Sequence, residues 1–407
     1  MQVKTNLAPY VPVNDNIEQI ILDPLPSYQN KQYYGYWLYE GSSPPFHKSI
    51  PQAKAQDLCP HRIPKNQNCI VRDSDGNLIM AVYRNCMGPQ ALQLMNETVT
   101  ETLYYRRPVA RESLPSSIKQ GHLTATGYVV HRGTGIFCHA RNIRNQYRSS
   151  TSEISAHEEH ISAAMGLLWN CARTFLPAEV IASFEKARQE SGLPGQDGAL
   201  YGTEHDFFEY EYKGTKLRWN RPLGACQSYA SENYTRHVHT DDTAITHPFV
   251  LISRRGILNS DGQFVEKDFV GGNFYLLKWG ILVEYDSGTL FAFPDAEEHG
   301  TTVISPEGYQ IGWSQHISQR IVAAYRNWIE GKDTEQKQKK RKLFIGDAPE
   351  KTQKAFEKKN EEVYNTGILT EKELYSTENT DLEIIRNDDS YCYIVQKTYN
   401  LRPKTKK

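Results

Sequence analysis

The sequence predicts an α+β protein whose helices and strands are segregated along the chain. Two observations carry this. Residues 151–192 show a helical pattern, and residues 205–326 break into short β-like runs separated by Gly and Asp turns. Helices in succession followed by strands in succession argue against βαβ units. Many short strands at this spacing indicate a sandwich or a barrel.

In the helical stretch Ser152 opens a Ser-Glu-Ile-Ser start, and apolar residues recur at Ile161, Met165, Leu168, Trp169, Ala172 and Phe175. That spacing lines one face of a helix. Pro177 ends it, and a second helix runs from Ala178 to Glu190 before Gly192. The predicted strands are Phe207–Tyr212, Ala225–Tyr234, Phe249–Ser253, Asn273–Leu277, Ile281–Tyr285, Thr289–Phe293, Thr301–Ile304 and Arg320–Tyr325. Upstream, Cys69–Arg72 and Leu78–Tyr83 flank Asp73-Ser74-Asp75-Gly76-Asn77, two β-like runs around a D-G turn that read as a hairpin. A further β-rich patch spans His122–Ala140. Residues 1–60, rich in Pro, Tyr and Asn, read as an extended arm. The expected organisation is therefore an N-terminal arm and β-rich region over 1–150, helices plus the main β region over 151–330, and a charged tail over 331–407.

With 39% hydrophobic residues, 25 Tyr and 14 Phe in 407 residues, the chain has the apolar mass for a sizeable core and is not a mainly disordered one. No run approaches the ~18 apolar residues of a membrane span, and Met1 to Val13 lacks a secretory pattern. The net charge of −1 points to no particular partner. Seven dispersed cysteines without an export signal suggest reduced thiols and a nuclear or cytoplasmic location. Cys59, His61, Cys69 and Cys86 contain no CxxC pair and make a poor zinc site.

The tail is polarised. Residues 332–359 hold ten Lys/Arg against five Asp/Glu, including Lys339-Lys340-Arg341-Lys342, and residues 361–389 hold nine acids against two bases. A solvated tail is the plain reading; a nuclear-import or nucleic-acid patch is the sharper one.

The informative segment runs from Tyr229 to Tyr325. It contains His239-Thr240-Asp241 and, further on, His299. On a strand, residues i and i+2 share a face, so His239 and Asp241 can grip one ion together. A later histidine completes a 2-His-1-carboxylate triad with open positions, the arrangement suited to Fe(II) and O₂. Around these residues stand Gly271-Gly272-Asn273-Phe274, then Gly288-Thr289-Leu290-Phe291-Ala292-Phe293, then His299-Gly300-Thr301-Thr302-Val303. No Walker loop, G-x-S-x-G or strand-linked GxGxxG is present. His157-Glu158-Glu159-His160 lacks the i, i+4 histidine spacing of a zinc-protease helix, and a partly solvated helix start explains it better.

This order of motifs closely resembles the core of Fe(II)/2-oxoglutarate-dependent dioxygenases, over roughly residues 225–326. The resemblance implies a double-stranded β-helix (jelly roll) core flanked by helices, with His239, Asp241 and His299 as iron ligands and with 2-oxoglutarate and O₂ as co-substrates. It implies an Arg on the last core strand paired with the far carboxylate of 2-oxoglutarate. Arg320, the first Arg after His299, takes that role here, with Tyr229 as a second candidate. The His299-to-Arg320 interval exceeds the family's usual one, which leaves ascorbate as an alternative reductant. Asp at 241 implies hydroxylation rather than halogenation. The wider framing resembles the TET/JBP group of nucleic-acid base oxygenases, which makes a methylated base such as 5-methylcytosine in DNA the first choice of substrate. A protein side chain or small metabolite is the alternative. A non-catalytic β-helix binding nucleic acid or another partner is a third expectation.

Overall fold

The computed structural model describes residues 17–29, 50–108, 121–130, 135–140, 142–147, 151–196, 207–213, 215–220, 225–330, 383–387 and 390–394. The Lys339–Lys342 block, most of the acidic stretch that follows it and most of the N-terminal arm lie outside the described residues.

The fold is α+β. Its strands are β1 (Ile17–Ile21), β2 (His61–Ile63), β3 (Asn68–Arg72), β4 (Leu78–Tyr83), β5 (His122–Val130), β6 (Phe137–His139), β7 (Phe207–Tyr212), β8 (Thr215–Asn220) and β9 (Gln227–Glu232). They continue as β10 (Phe249–Leu258), β11 (Phe264–Val265), β12 (Phe274–Leu276), β13 (Ile281–Val283), β14 (Thr289–Ala292), β15 (His299–Thr301), β16 (Gly308–His316), β17 (Glu383–Asn387) and β18 (Ser390–Ile394). One large sheet runs β1-β3-β4-β14-β10-β16-β9-β5-β6, with β11 attached to β10. A smaller sheet runs β15-β12-β13-β2. Strands from both sides of residue 150 thus share each sheet. The hairpin expected around Asp73–Asn77 is β3–β4. The turn is closed by the Asp73 carboxylate, which accepts from the Asp75 and Asn77 N–H groups at 3.0 and 2.7 Å.

Two apolar layers hold this together. Period-2 alternation sends Leu251, Leu290, Ile311 and Trp313 to one face of the large sheet. There they pack against Met95, Met165, Leu168 and Trp169 from the helices Pro89–Tyr105 and Thr151–Phe175. Ile252 and Phe291 take the opposite face and meet Phe274, Leu276, Ile281 and Val283 of the small sheet. The aromatic runs of the sequence fill the space between the two sheets. The helix Ala178–Ser191 ends, as the sequence predicts, on Gly192 in the left-handed region (φ 71°).

The structure departs from the sequence expectations in three places. The predicted strand Arg320–Tyr325 is instead part of the helix Gln319–Ile329. The Ser318 side chain accepts from the Ile321 N–H as an N-cap, and Ile321, Ala324, Tyr325 and Trp328 recur at helical spacing. The long interval between His299 and Arg320 turns at Pro306 and Glu307 and holds β16, the strand between β10 and β9. A polar, glycine-containing run, Gly-Tyr-Gln-Ile-Gly, hid this strand. The helix Pro89–Tyr105, packed on β9, β10 and β16, has no counterpart among the sequence expectations.

His157–His160 is partly solvated, Glu159 being exposed, but His157 and Glu158 join a buried network. Arg106, fully buried, forms an ion pair with Glu158 and donates to the Ala140 carbonyl and Asn142 Oδ1, both at 2.9 Å. Its Nε donates to His157 Nε2 at 3.4 Å. Burial pushes the Glu101 carboxyl up, but hydrogen bonds from His157 and His160 outweigh it and hold the group at about 2. The network clamps the helix Pro89–Tyr105 to the helix Thr151–Phe175.

Histidine burial sets a pH dependence of stability. Desolvation lowers His157, His239, His247, His299 and His316 below their ordinary 6.5. Between the folded and unfolded values the unfolded chain binds more protons, so stability rises with pH there. His160, raised chiefly by its bond to Glu101, and the carboxyls of Asp295 and Glu298, raised by burial (Asp295 to about 7), act in the opposite sense but are fewer than the five imidazoles. The urea midpoint of the metal-free protein is therefore expected to fall steadily from pH 8 to pH 5. A midpoint flat over that range would mean that these imidazoles are hydrated in the folded state.

Candidate metal centre

The triad is assembled from one extended loop segment, which carries His239 and Asp241, and one strand start, which carries His299. His239 and His299 form an isolated antiparallel bridge, exchanging backbone hydrogen bonds at 2.9 and 3.0 Å. Asp241 is held by its N–H donating to the Asp295 carbonyl at 2.8 Å. His239-Thr240-Asp241 was expected on a strand; the structure gives it only this single bridge, in an extended segment. The shared face survives, because alternate hydrogen bonds to 295–299 impose the same extended geometry. Gly300 explains the His-Gly pair in the sequence. A Cβ there would stand 2.3 Å from the Tyr275 hydroxyl and 3.0 Å from the Arg236 carbonyl, so only glycine lets the strand pass.

His239 Nε2 lies 3.8 Å from Asp241 Oδ1, and His299 Nε2 lies 3.7 Å from Asp241 Oδ2. Candidate ligand atoms of all three residues lie within 4.8 Å of one another. Among the described residues this is the one group of three or more His, Cys, Asp or Glu side chains so placed. Each imidazole Nδ1 is 2.8 Å from a backbone carbonyl, that of His237 for His239 and that of Glu297 for His299. A carbonyl can only accept, so Nδ1 carries the proton and Nε2 presents its lone pair to the site. Burial, and then the neighbouring His299, pull His239 down to about 3. Burial lowers His299 as well. Both rings are therefore neutral, the form a metal ligand requires.

The three ligands differ in access. His299 has a side chain 5% exposed and is flanked by Phe274 (rings stacked, centroids 5.7 Å apart) and Phe293 (edge-on, 4.8 Å). Asp241 is 44% exposed, so the site opens to solvent on the carboxylate side. Two imidazoles and a carboxylate converging on one point, with solvent access beside the carboxylate, make up the donor set that suits Fe(II).

Tyr229, on β9, accepts a hydrogen bond from Gln227 Nε2 at 2.9 Å and packs edge-on against His316, with ring centroids 4.8 Å apart. The negative charge of Asp241 reaches His316, Tyr234 and Arg236 electrostatically. On β16, Trp313 and Gln315 turn to the helices, donating to the Met95 and Met165 carbonyls. Alternation sends Ser314 and His316 the other way, toward Tyr229 and the triad. Sequence reasoning gave His316 no role. Its signal is the i, i+2 spacing with Ser314, legible only once Gly308–His316 is known to be a strand. Arg320 is not brought to this cluster by the elements expected: it is exposed in the first turn of the helix Gln319–Ile329, and β16 carries no arginine.

Among solved structures the chain resembles NgTET1 in complex with 5mC DNA, at 12% identity and TM-score 0.34, covering 66% of this chain and 88% of that one. It also resembles a prolyl hydroxylase from Trichoplax adhaerens in complex with a hypoxia inducible factor peptide fragment, at 10% identity and TM-score 0.29, covering 60% and 86%. A third likeness is to a 2OG-Fe(II) oxygenase family oxidoreductase from Burkholderia pseudomallei, at 10% identity and TM-score 0.26, covering 59% and 87%. No family model and no curated protein matches.

Proposed function

We propose that this chain is an Fe(II)/2-oxoglutarate-dependent dioxygenase that hydroxylates a C–H bond, with its two facing sheets forming a double-stranded β-helix. The observation that carries the reading is the His239–Asp241–His299 cluster, with both Nε2 lone pairs aimed inward and both Nδ1 protons fixed on carbonyls. Two ligand atoms each about 2.1 Å from a shared ion stand at most about 4.2 Å apart; the separations of 3.7 and 3.8 Å fall within this limit.

His239, Asp241 and His299 would hold the iron, which when bound supplies O₂ activation coupled to 2-oxoglutarate oxidation. The chain's own contribution is positioning. The carbonyls of His237 and Glu297 keep the two rings in one tautomer and orientation. Phe274 and Phe293 shield His299 from water, so access to the site is from the Asp241 side. The co-substrate's distal carboxylate needs a donor set on that side. Arg236 and His316, which feel the Asp241 charge, and Tyr229 packed on His316 are the groups that would offer one, whereas Arg320 opens an exposed helix.

The test is 2-oxoglutarate turnover with added Fe(II), followed as succinate formed. Arg236→Ala is expected to raise the apparent KM for 2-oxoglutarate by at least about tenfold, since truncating one partner of a desolvated charge pair costs roughly 2–5 kcal/mol. Arg320→Ala is expected to leave it unchanged. The reverse pattern would restore Arg320 to the role the resemblance implies. No Fe(II)-dependent turnover with any substrate would leave the scaffold reading.

For the prime substrate we propose a methylated base in DNA. Supporting it are the Lys339–Lys342 block and the open carboxylate side of the site, which leaves room for a bulky group. A protein side chain or a metabolite would fit the same triad; a panel of methylated DNA, peptides and small molecules decides between them.

A further inference from the structure

Two arginine-rich segments distant in sequence meet at the C-terminal end of the helix Pro89–Tyr105. One is Tyr104-Tyr105-Arg106-Arg107; the other, Arg141-Asn142-Ile143-Arg144-Asn145-Gln146-Tyr147-Arg148, contains three more arginines, and neither contains an acid. Arg106 and Ile143 form an antiparallel bridge. Around it the Arg107 N–H donates to the Asn142 carbonyl at 2.7 Å, and the Arg144 N–H donates to the Tyr105 carbonyl at 2.8 Å. The Arg144 guanidinium lies across the C-terminal end of the helix Pro89–Tyr105, donating to the Leu103 and Arg106 carbonyls, both at 3.1 Å.

On this base stands a cluster of three tyrosines. Tyr147 lies 4.9 Å from Tyr104 and 5.1 Å from Tyr105, and Tyr104 lies 5.1 Å from Tyr105, centroid to centroid. Tyr105 is anchored from below by the buried His157 ring at 5.2 Å. Tyr104 itself is 58% exposed. Its neighbours fix the plane of its ring, so little rotamer freedom remains to be lost when something stacks on it. The exposed Arg107 follows it in the chain. One exposed acid, Glu153, reaches Tyr104 and Tyr105 electrostatically; Glu101 and Glu158 are committed to the buried network.

We propose that Tyr104, with the exposed Arg107 and the Arg144 guanidinium beside it, is a docking surface for a nucleic-acid strand: an unstacked base lies on the Tyr104 ring while the arginines meet the backbone phosphates. A preset aromatic face beside cations is the pairing that single strands use, one group for the base and one for the charge. An acidic peptide would use the arginines and leave the ring idle. The surface is tied to the active side of the sheet. Asn142 Nδ2 donates to the Ala125 carbonyl on β5, and Ala125 pairs with Tyr229 on β9. This inference rests on the nucleic-acid reading of the substrate and names the face that would meet it.

The test is fluorescence anisotropy of labelled oligo(dT) with the full chain at low salt, with poly-glutamate as competitor. Tyr104→Ala should weaken binding about tenfold, the size of one base–aromatic stack, and Tyr104→Phe should restore it. Arg107→Gln should reduce the log–log salt slope by ~0.7, the value for one phosphate contact on a single strand. Thermal midpoints of the variants, expected to match the parent, separate loss of contact from loss of fold. Parent-like binding by Tyr104→Ala and Arg107→Gln, together with loss on neutralising Lys339–Lys342, would overturn this surface and leave the nucleic-acid reading standing. Absence of oligonucleotide binding by the parent would overturn both. Equal competition by poly-glutamate would reduce the surface to an anion patch and overturn the stacking role.

Discussion

Replacing any one of His239, Asp241 or His299 by alanine is expected to abolish 2-oxoglutarate turnover, by roughly a thousandfold or more. A bound metal contributes several kcal/mol of stabilisation to the reacting charge, and 1.4 kcal/mol is a factor of ten in rate. The loss should appear first as loss of iron, in metal content measured after gel filtration. Asp241→Ala is the cleanest of the three for stability, because Asp241 is half-exposed and its backbone, not its carboxylate, holds the segment to Asp295. Its thermal midpoint without metal should match the parent's. His299→Ala opens a gap beside Phe274 and Phe293 and should lower the midpoint somewhat. Normal turnover with any of these variants would remove that residue from the triad.

The second large effect is structural. Arg106→Ala is expected to destabilise the fold by about 3–5 kcal/mol, measured by urea unfolding. It strips the partner from Glu158 and leaves the Ala140 carbonyl and Asn142 side chain short of a donor inside the protein. Removing both charges, as Arg106→Met with Glu158→Gln, should recover part of the loss, since no unpaired buried charge remains. A single-variant loss below about 1 kcal/mol would show that water satisfies the network and that it does not clamp the helices.

Local patterns settled much of this molecule. The hairpin β3–β4, the helices Thr151–Phe175 and Ala178–Ser191 and most strands between Phe207 and Thr301 were legible, because periodicity, a Pro–Gly frame and D-G turns are properties of neighbouring residues. His239, Asp241 and His299 were legible too, as a residue set whose chemistry is unusual in combination. Their convergence was not: it depends on one backbone bridge between residues far apart in the chain. Arg320 was misplaced because an apolar run, Ile321–Tyr325, fits a strand or a helix equally well until a serine cap and a packing partner choose. His316, the Arg106 network and the tyrosine cluster were decided by tertiary structure alone. Burial creates each of them, by desolvating an imidazole, by leaving an arginine no water to turn to, or by closing two arginine-rich segments onto one helix end. No spacing within a single segment encodes an environment that another segment supplies.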